Sequence, residues 1–314
     1  MQQPFLKRIS QTYPEAIETG RWKPKIPKAD EIENALYVRR IRKAFPEFEN
    51  ADCERIDDVG DFLMYLVNDR YIFRFVIGNK VEDILKLLSE QAVLERPKER
   101  LVLPAPNYTH VPEAPDFSGF EMIRGQALSP DCFRQLSSSN REAAAKILGE
   151  NLGIIHAFPV EQAKALGVEE GRPRSPRGAE RRFRRSGTEL EPHVRRVYER
   201  WLGDIQTMPD YTPAFTHSDV WYHHIYHDPR SGRLTGIIDW GDIRITDPAY
   251  DIAGSWAYGK AFVDAVLRNY PATDSAIKDR ALYHYKSTVI GSLLNPRERY
   301  SNYGKVLLSD NFDL

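Results

Sequence analysis

The spacing of apolar residues over the first hundred positions predicts a small sheet with flanking helices. Apolar side chains recur at helical intervals in two segments, and three shorter runs are rich in β-branched and aromatic residues, which favour strands. Between the last two runs, Asn68-Asp69-Arg70 is typical of a hairpin turn. The predicted elements are a helix from Glu31 to about Phe45 with Asp30 as N-cap, strands at about Cys53–Asp57, Phe62–Val67 and Tyr71–Val76, and a helix at about Val81–Leu94.

The pattern becomes mainly helical after two further strand-like runs. Long stretches with apolar residues at helical spacing dominate from Ser129 onward, separated by a polar, Arg-rich stretch over residues 167–187. The predicted elements are strands at Leu101–Leu103 and Phe117–Ile123, a helix capped by Ser138 or Ser139 and ending near Phe158, and helices near Glu189–Ile205, Pro248–Tyr270 and Asp274–Leu294. A sheet region followed by a helical region predicts an α+β protein.

Composition narrows the class of protein without identifying it. The chain has 314 residues, 41% of them hydrophobic and 28% charged, which is enough for a full core in one large or two modest domains. A net charge of −1 gives no argument for nucleic acid or an anionic membrane as partner. Two distant cysteines, no signal-peptide core at the N-terminus and no apolar run near the ~20 residues of a membrane span predict a reduced, cytoplasmic protein.

Residues 215–251 carry the chemistry. Asp219 lies two residues after His217, and Asp239 follows twenty residues later, at the end of the apolar run Gly236–Ile238. Phosphoryl transfer needs one carboxylate that orients and deprotonates the attacking hydroxyl and another that holds the metal bridging the nucleotide phosphates. A loop acid followed by a hairpin that ends in a second acid can bring both to one point.

This segment resembles the catalytic core of the aminoglycoside phosphotransferase family, a branch of the protein-kinase-like fold. The family pattern is His-Gly-Asp, four variable residues, Asn, and a hairpin ending in Ile-Asp-Trp/Phe-Gly-Asp. Here it reads His217-Ser218-Asp219, then His224 in place of Asn, then Ile238-Asp239-Trp240-Gly241-Asp242. The histidine is similar to that of the aminoglycoside 2″-phosphotransferase and macrolide phosphotransferase branches. Asp247 to Asp251 also match, and Asp251 is expected to hydrogen-bond the catalytic loop.

The resemblance implies a two-lobed fold and a role for each site residue. An N-terminal nucleotide-binding lobe would span 1–122, including an extended arm over 1–30, and a C-terminal catalytic lobe 123–314. Asp219 would be the catalytic base, and His224 and Asp239 the Mg²⁺ ligands. The remaining nucleotide contacts implied are Arg74 to the phosphates, Glu90 as the partner of Arg74, and the backbone of Glu121, Met122 and Ile123 to the purine of ATP or GTP.

The sequence does not identify the molecule that accepts the phosphoryl group. An aminoglycoside is the first candidate, and a macrolide or a sugar or amino alcohol metabolite is the alternative. The protein is expected to act as a monomer or weak dimer. A polycationic acceptor needs carboxylates, and the candidates are Asp242, Asp264, Asp310 and Asp313. The arginines between 172 and 185 argue against it if they face the acceptor.

Two readings of other classes remain. The region around Gly60 has one glycine where kinases carry a glycine-rich loop, which, with Arg74 and His224, allows a pseudokinase-like nucleotide-binding protein. His217, His223, His224 and His227 near Asp219 suggest zinc, but their spacing does not match zinc hydrolase motifs.

Overall fold

The computed structural model describes most of the chain in two compact units. The described residues are 5, 7, 11–13, 30–59, 62–77, 81–96, 100–171, 181, 192–271, 274–293 and 302–307. One unit comprises residues 1–99, 105–123 and 161–168, and the other comprises 100–104, 124–160 and 169–314. The predicted boundary at 122/123 lies one residue from the main division. The loop around Gly60, most of the Arg-rich stretch, Asp310 and Asp313 lie outside the described residues.

The first unit is built on a five-stranded antiparallel sheet. Its elements are α1 (Asp30–Ala44), β1 (Cys53–Val59), β2 (Phe62–Val67), β3 (Tyr71–Val76), α2 (Val81–Leu94), β4 (Tyr108–His110) and β5 (Phe117–Glu121). The strand order is β1-β2-β3-β5-β4. Asn68 and Asp69, with φ values of 52° and 50°, are the central residues of a turn closed by the Arg70 amide and the Val67 carbonyl, and Val67 pairs with Tyr71, which confirms the predicted β2–β3 hairpin.

Each face of this sheet has its own apolar core. On one face, Tyr37 and Ile41 of α1 pack with sheet aromatics such as Phe73 and Phe75. On the other face, residues of α2 including Ile84 pack against Phe62 and Val76. A strand buried on both sides carries apolar residues at consecutive positions, which explains the apolar run of β3 around Arg74.

The second unit is mainly helical, with two small antiparallel sheets. Its elements are β6 (Gln126–Ala127), α3 (Pro130–Gln135), α4 (Ser138–His156), α6 (Pro192–Thr207), β7 (Ala214–Thr216), β8 (Ile225–His227), β9 (Leu234–Ile237), β10 (Arg244–Thr246), α7 (Ala249–Ala253), α8 (Lys260–Asn269) and α9 (Ile277–Leu293). The short helix α5 (Val160–Ala165) follows α4 in the chain, but all of it except Val160 belongs to the first unit. The sheets are β10-β7 and β6-β8-β9. Helix α4 packs along α8, and α7 packs against α9. The predicted α+β, protein-kinase-like fold class is confirmed, with an antiparallel-sheet region followed by a helical one.

Three predicted elements differ in the structure. The helix expected over Pro248–Tyr270 is α7, a 3₁₀ segment Gly254–Tyr258 and α8, because Gly259 adopts a φ of 96° that a helix cannot continue. Residues 101–103 do not form a strand; the Leu103 amide donates to the Asn151 side chain at 3.0 Å. Ser137, rather than Ser138 or Ser139, caps α4, and its hydroxyl accepts from the Asn140 amide.

Candidate active site

The loop after β7 presents Asp219 and is fixed from behind by one buried carboxylate. Asp251 of α7 is fully buried, and it accepts hydrogen bonds from the amides of His217 (2.8 Å) and Ser218 (2.6 Å). The Nε2 of His156, at the end of α4, lies 3.0 Å from the same carboxylate. The predicted contact of Asp251 with the loop is confirmed, and three partners satisfy the charge of a side chain that could not otherwise be buried.

His217 ties this loop to the strand that leads to Asp239. Its Nε2 lies 3.1 Å from the Ile238 carbonyl, and its Nδ1 accepts from the Asp219 amide at 3.2 Å. Since Nδ1 accepts, the proton sits on Nε2 and the imidazole is neutral. Burial lowers the pKa of His217 to about 4, which keeps it neutral. His217 is therefore a neutral side chain that holds the two loops together.

Asp219 is the carboxylate that the loop presents. Its side chain is 27% exposed. Burial raises the pKa of Asp219 to about 7; His224 opposes this shift, while the carboxylates of Asp242, Asp239 and Asp251 add to it. A carboxylate with a pKa near neutrality is suited to accept a proton from a hydroxyl group.

His224 connects Asp219 to Asp239. Its Nδ1 lies 2.8 Å from the Asp219 carbonyl oxygen and its Nε2 lies 3.4 Å from Asp239 Oδ2. The contact to a carbonyl places the proton on Nδ1, because a carbonyl can only accept, and this leaves the lone pair on Nε2. The nitrogen lone pair and a carboxylate oxygen thus converge on one point, as ligands of a divalent cation must.

Backbone pairing accounts for this convergence. Ile225 pairs with Ile237 in the β8–β9 hairpin, and the Ile238 amide donates to the His224 carbonyl at 3.0 Å. His224 and Asp239 therefore leave the hairpin side by side. Asp239 then turns into the left-handed region, with φ of 60° and ψ of 68°, and a 3₁₀ turn begins at Trp240. Aspartate is one of the few residues that tolerates this conformation.

A glycine behind the loop was not recognised from the sequence. A Cβ placed on Gly254 would lie 1.9 Å from the Val220 carbonyl oxygen, one residue after Asp219. Only glycine allows the 3₁₀ segment to approach the loop this closely. No local sequence signal marks Gly254, since the contact joins residues distant along the chain.

In the first unit, Arg74 and Glu90 form the predicted pair and are joined by a tyrosine. Nη1 of Arg74 lies 2.8 and 3.0 Å from the two carboxylate oxygens of Glu90. Tyr108 of β4 accepts from Arg74 at 2.9 Å and donates to Glu90 at 2.8 Å. The side chains of Arg74 and Glu90 are 5% and 0% exposed, so the pair is held at one fixed position. Sequence patterns missed Tyr108 because β4 has only three residues.

The end of β5 contains the predicted purine-contacting backbone. The Met122 amide donates to the Arg70 carbonyl at 2.8 Å, on the side of β3. Adjacent residues of a strand direct their amide and carbonyl groups to opposite sides, so those of Glu121, the last residue of β5, point away from β3. The Glu121 side chain, paired with Arg70 at 3.1 Å, is exposed. The Met122 amide is thus bonded within the protein, which leaves the backbone of Glu121 and Ile123 among the predicted purine contacts.

The two described carboxylates suggested for a cationic acceptor have basic partners. Asp264 is bonded to Lys260 at 2.8 Å and also to Lys278. Asp242 is bonded to Arg244 at 3.0 Å, and both side chains are exposed. Both carboxylates already pair with basic side chains of the protein, so neither offers an uncompensated negative charge to a cationic acceptor.

This fold and site define a class: a kinase-like phosphotransferase, with a buried Arg–Glu pair beside a sheet and an Asp–His–Asp arrangement on a loop and hairpin. The chain belongs to the phosphotransferase enzyme family, whose model matches residues 52–284.

Solved structures share the fold. The GDP complex of aminoglycoside 2′-phosphotransferase-IIIa gives a TM-score of 0.72 at 21% identity, covering 89% of this chain and 98% of that chain. A macrolide 2′-phosphotransferase from Brachybacterium faecium gives a TM-score of 0.60 at 16% identity, covering 88% and 98%. Among curated proteins, viomycin phosphotransferase from Streptomyces vinaceus is 33% identical over 87 residues, which are 26% of this chain and 30% of that protein. The match thus spans under a third of the length of that relative.

Proposed function

We propose that this protein transfers the γ-phosphoryl group of ATP or GTP to a hydroxyl group of a small molecule. The observation that carries the proposal is the arrangement at the catalytic loop, where the Asp219 carboxylate stands beside His224 and His224 stands 3.4 Å from Asp239. Family membership supports the reaction class.

Each site residue has a defined part in this reaction. Asp219 orients the acceptor hydroxyl and takes its proton while the oxygen bonds to the γ-phosphorus and the bond to the β,γ-bridging oxygen breaks. Arg74, positioned by Glu90 and Tyr108, binds nucleotide phosphates, since a guanidinium matches phosphate geometry. The backbone of Glu121 and Ile123 contacts the purine.

The residues present fit a bound Mg²⁺. Asp239 offers the anionic oxygen that Mg²⁺ prefers, and Nε2 of His224 points at the same place, while phosphates and water complete such sites in other proteins. A cation held there would neutralise charge on the phosphates.

The acceptor proposed first is an aminoglycoside antibiotic. Support comes from the relatives: one structural neighbour is a GDP and kanamycin complex of an aminoglycoside 2″-phosphotransferase, with a TM-score of 0.69 at 22% identity over 88% of this chain and 97% of that chain. The macrolide structure cited above supports a second candidate acceptor.

An aromatic group beside Asp219 favours that second candidate. Tyr222 and Tyr303 lie 5.4 Å apart between ring centroids, and His223 lies 5.2 Å from Tyr303. Burial, then the charges of Tyr222 and Asp219, raises the pKa of Tyr303, so this ring is within electrostatic reach of the base. Aromatic faces suit a bulky, mostly apolar acceptor better than they suit a polycation that needs carboxylates.

A nucleotide-consumption screen tests the proposal. ATP and GTP are each offered with aminoglycosides, macrolides and small sugar or amino alcohols, and the product is identified by its mass. Acceptor-dependent turnover that disappears in Asp219→Asn supports the proposal. Nucleotide binding without turnover on any acceptor of the panel would instead favour a nucleotide-binding pseudokinase.

A further inference from the structure

Asp219, His223 and His224 form a cluster that differs from the pair assigned to Mg²⁺. One ligand atom from each of these three residues lies within 4.8 Å of the others. The rings of His223 and His224 are 4.0 Å apart between centroids, at an interplanar angle of 65°. Ligands held at about 2.0–2.1 Å around a tetrahedral metal are about 3.4 Å apart, so small side-chain rotations would close this cluster on an ion.

The side chain of His223 contains a buried nitrogen, Nδ1, that lacks a hydrogen-bond partner among the residues that the structure describes. A buried polar atom without a partner is destabilising, because it has lost its hydrogen bonds to water and gained none in return. Beyond its ring contact with Tyr303, the proposed phosphoryl transfer gives His223 no proton or phosphate to hold, whereas a metal bond would satisfy Nδ1.

The chemistry of the three ligands selects the kind of metal. Two imidazoles and one carboxylate form a ligand set typical of Zn²⁺ sites, with a fourth position left for water. Mg²⁺ prefers oxygen ligands, while imidazole suits zinc, copper, iron and nickel.

We propose that Asp219, His223 and His224 form a binding site for Zn²⁺ and related first-row transition metal ions. This site overlaps the Mg²⁺ pair, because both use the one nitrogen lone pair of His224, so the two metals compete. A metal in this site occupies the Asp219 carboxylate. Under the proposed function, on which this consequence rests, micromolar Zn²⁺ therefore inhibits phosphoryl transfer even when millimolar Mg²⁺ is present.

The test uses tag-free, full-length protein without nucleotide or acceptor, so its outcome does not depend on catalysis. Co²⁺ is titrated in the presence of millimolar Mg²⁺ while visible absorption is recorded, and Zn²⁺ binding is measured by calorimetry. The wild type is expected to bind one ion and to show the intense bands of tetrahedral Co²⁺. His223→Phe keeps an aromatic ring against Tyr303 but removes the ligand. Outer-shell partners alone are worth about 10–100-fold in metal affinity, so this variant should bind Zn²⁺ at least about 10-fold more weakly.

Two further variants keep the result interpretable. Tyr222→Phe alters a neighbouring ring without removing a ligand, and we expect wild-type metal affinity. His223→Gln serves as a second test if His223→Phe does not melt cooperatively. An absence of the Co²⁺ bands in the wild type, or an equal Zn²⁺ affinity in the folded His223 variant, would overturn the proposed site. Failure of phosphoryl transfer in the acceptor screen would leave the metal-binding result standing and would remove only its inhibitory consequence.

Discussion

At the scale of single residues, Ser218 occupies a backbone conformation that the family pattern assigns to glycine. Its φ of 66° lies in the left-handed region, which explains why His-Gly-Asp is the usual sequence there. The serine is retained through its amide bond to Asp251 and a 2.7 Å contact between its hydroxyl and that of Thr216. The resemblance predicted the loop, but a single sequence shows neither this backbone conformation nor the contacts that compensate for it.

Substitution of Ser218 should reveal this strain. In Ser218→Gly, relief of about 1 kcal/mol of strain offsets a lost hydrogen bond of similar size, so the free energy of unfolding should change by less than about 1 kcal/mol. Ser218→Val adds branching at Cβ and should destabilise by about 2 kcal/mol or more. Urea unfolding of both variants measures the difference. Equal destabilisation by Gly and Val would contradict the backbone argument.

His224 should tolerate asparagine but not alanine. Asparagine can donate to the Asp219 carbonyl and offer an oxygen to Mg²⁺, whereas alanine does neither. We expect His224→Asn to keep a measurable part of Mg²⁺-dependent turnover and His224→Ala to lose about 10–100-fold or more. The measurement is turnover against Mg²⁺ concentration for both variants. Indistinguishable curves would show that position 224 has no ligand role.

At the scale of elements, the sequence predicted helices and strands correctly where local features, such as apolar periodicity and turn residues, determine the structure. The helix Val81–Leu94 and the strands Phe62–Val67 and Tyr71–Val76 have the predicted bounds, because periodicity and turn residues determine them locally. The strand expected at Leu101–Leu103 was wrong, since a run of three apolar residues fits an extended loop equally well. Helix breaks at Gly259 and the approach of Gly254 depend on tertiary packing, which a single sequence does not display.

The close contact of Gly254 with Val220 predicts that Gly254 positions the loop that carries Asp219, although Gly254 itself does not contact substrate. Gly254→Ala must push the Val220 carbonyl away and so displace Asp219, and we expect lower kcat together with a loss of stability. Gly291→Ala in α9 is the matched control, because a Cβ there meets nothing within 4 Å. Glycine is disfavoured inside helices, so this control should stabilise the protein by about 0.5–1 kcal/mol. Thermal melts and steady-state kinetics of both variants provide the comparison, and wild-type kcat in Gly254→Ala would contradict the positioning role.

A buried ion pair anchors the start of α7 to α9. Arg280 is fully buried and donates from Nε to Asp247 at 3.0 Å, and His284 reaches the same carboxylate at 2.9 Å. Removal of Arg280 takes the permanent positive charge away from the buried Asp247 carboxylate, so Arg280→Met should destabilise by about 3–5 kcal/mol. Arg268→Met, which removes an exposed pair with Glu142, should cost less than about 1 kcal/mol. Urea unfolding measures the loss of unfolding free energy in both variants. Similar losses would show that the buried pair contributes no more to stability than the exposed pair does.

At the scale of the whole molecule, the family and the reaction class follow from residues whose order and spacing are readable in the sequence. Asp219, His224 and Asp239 lie within one 21-residue segment, and the structure brings them to one place. The acceptor does not follow in the same way. The contacts proposed for it, Tyr222 and Tyr303, lie far apart along the chain and come together only in the fold. No helix in the described part of the chain is both long and apolar enough to cross a membrane.

The most direct test of the central claim is single-turnover transfer from γ-³²P-labelled nucleotide to the best acceptor of the screen, for the wild type and Asp219→Asn at saturating Mg²⁺. We expect a labelled acceptor with the wild type and a rate about 10²–10⁴-fold lower in Asp219→Asn, with nucleotide affinity unchanged. Transfer by Asp219→Asn at near wild-type rate, to the same hydroxyl, would contradict the assignment of Asp219 as the base.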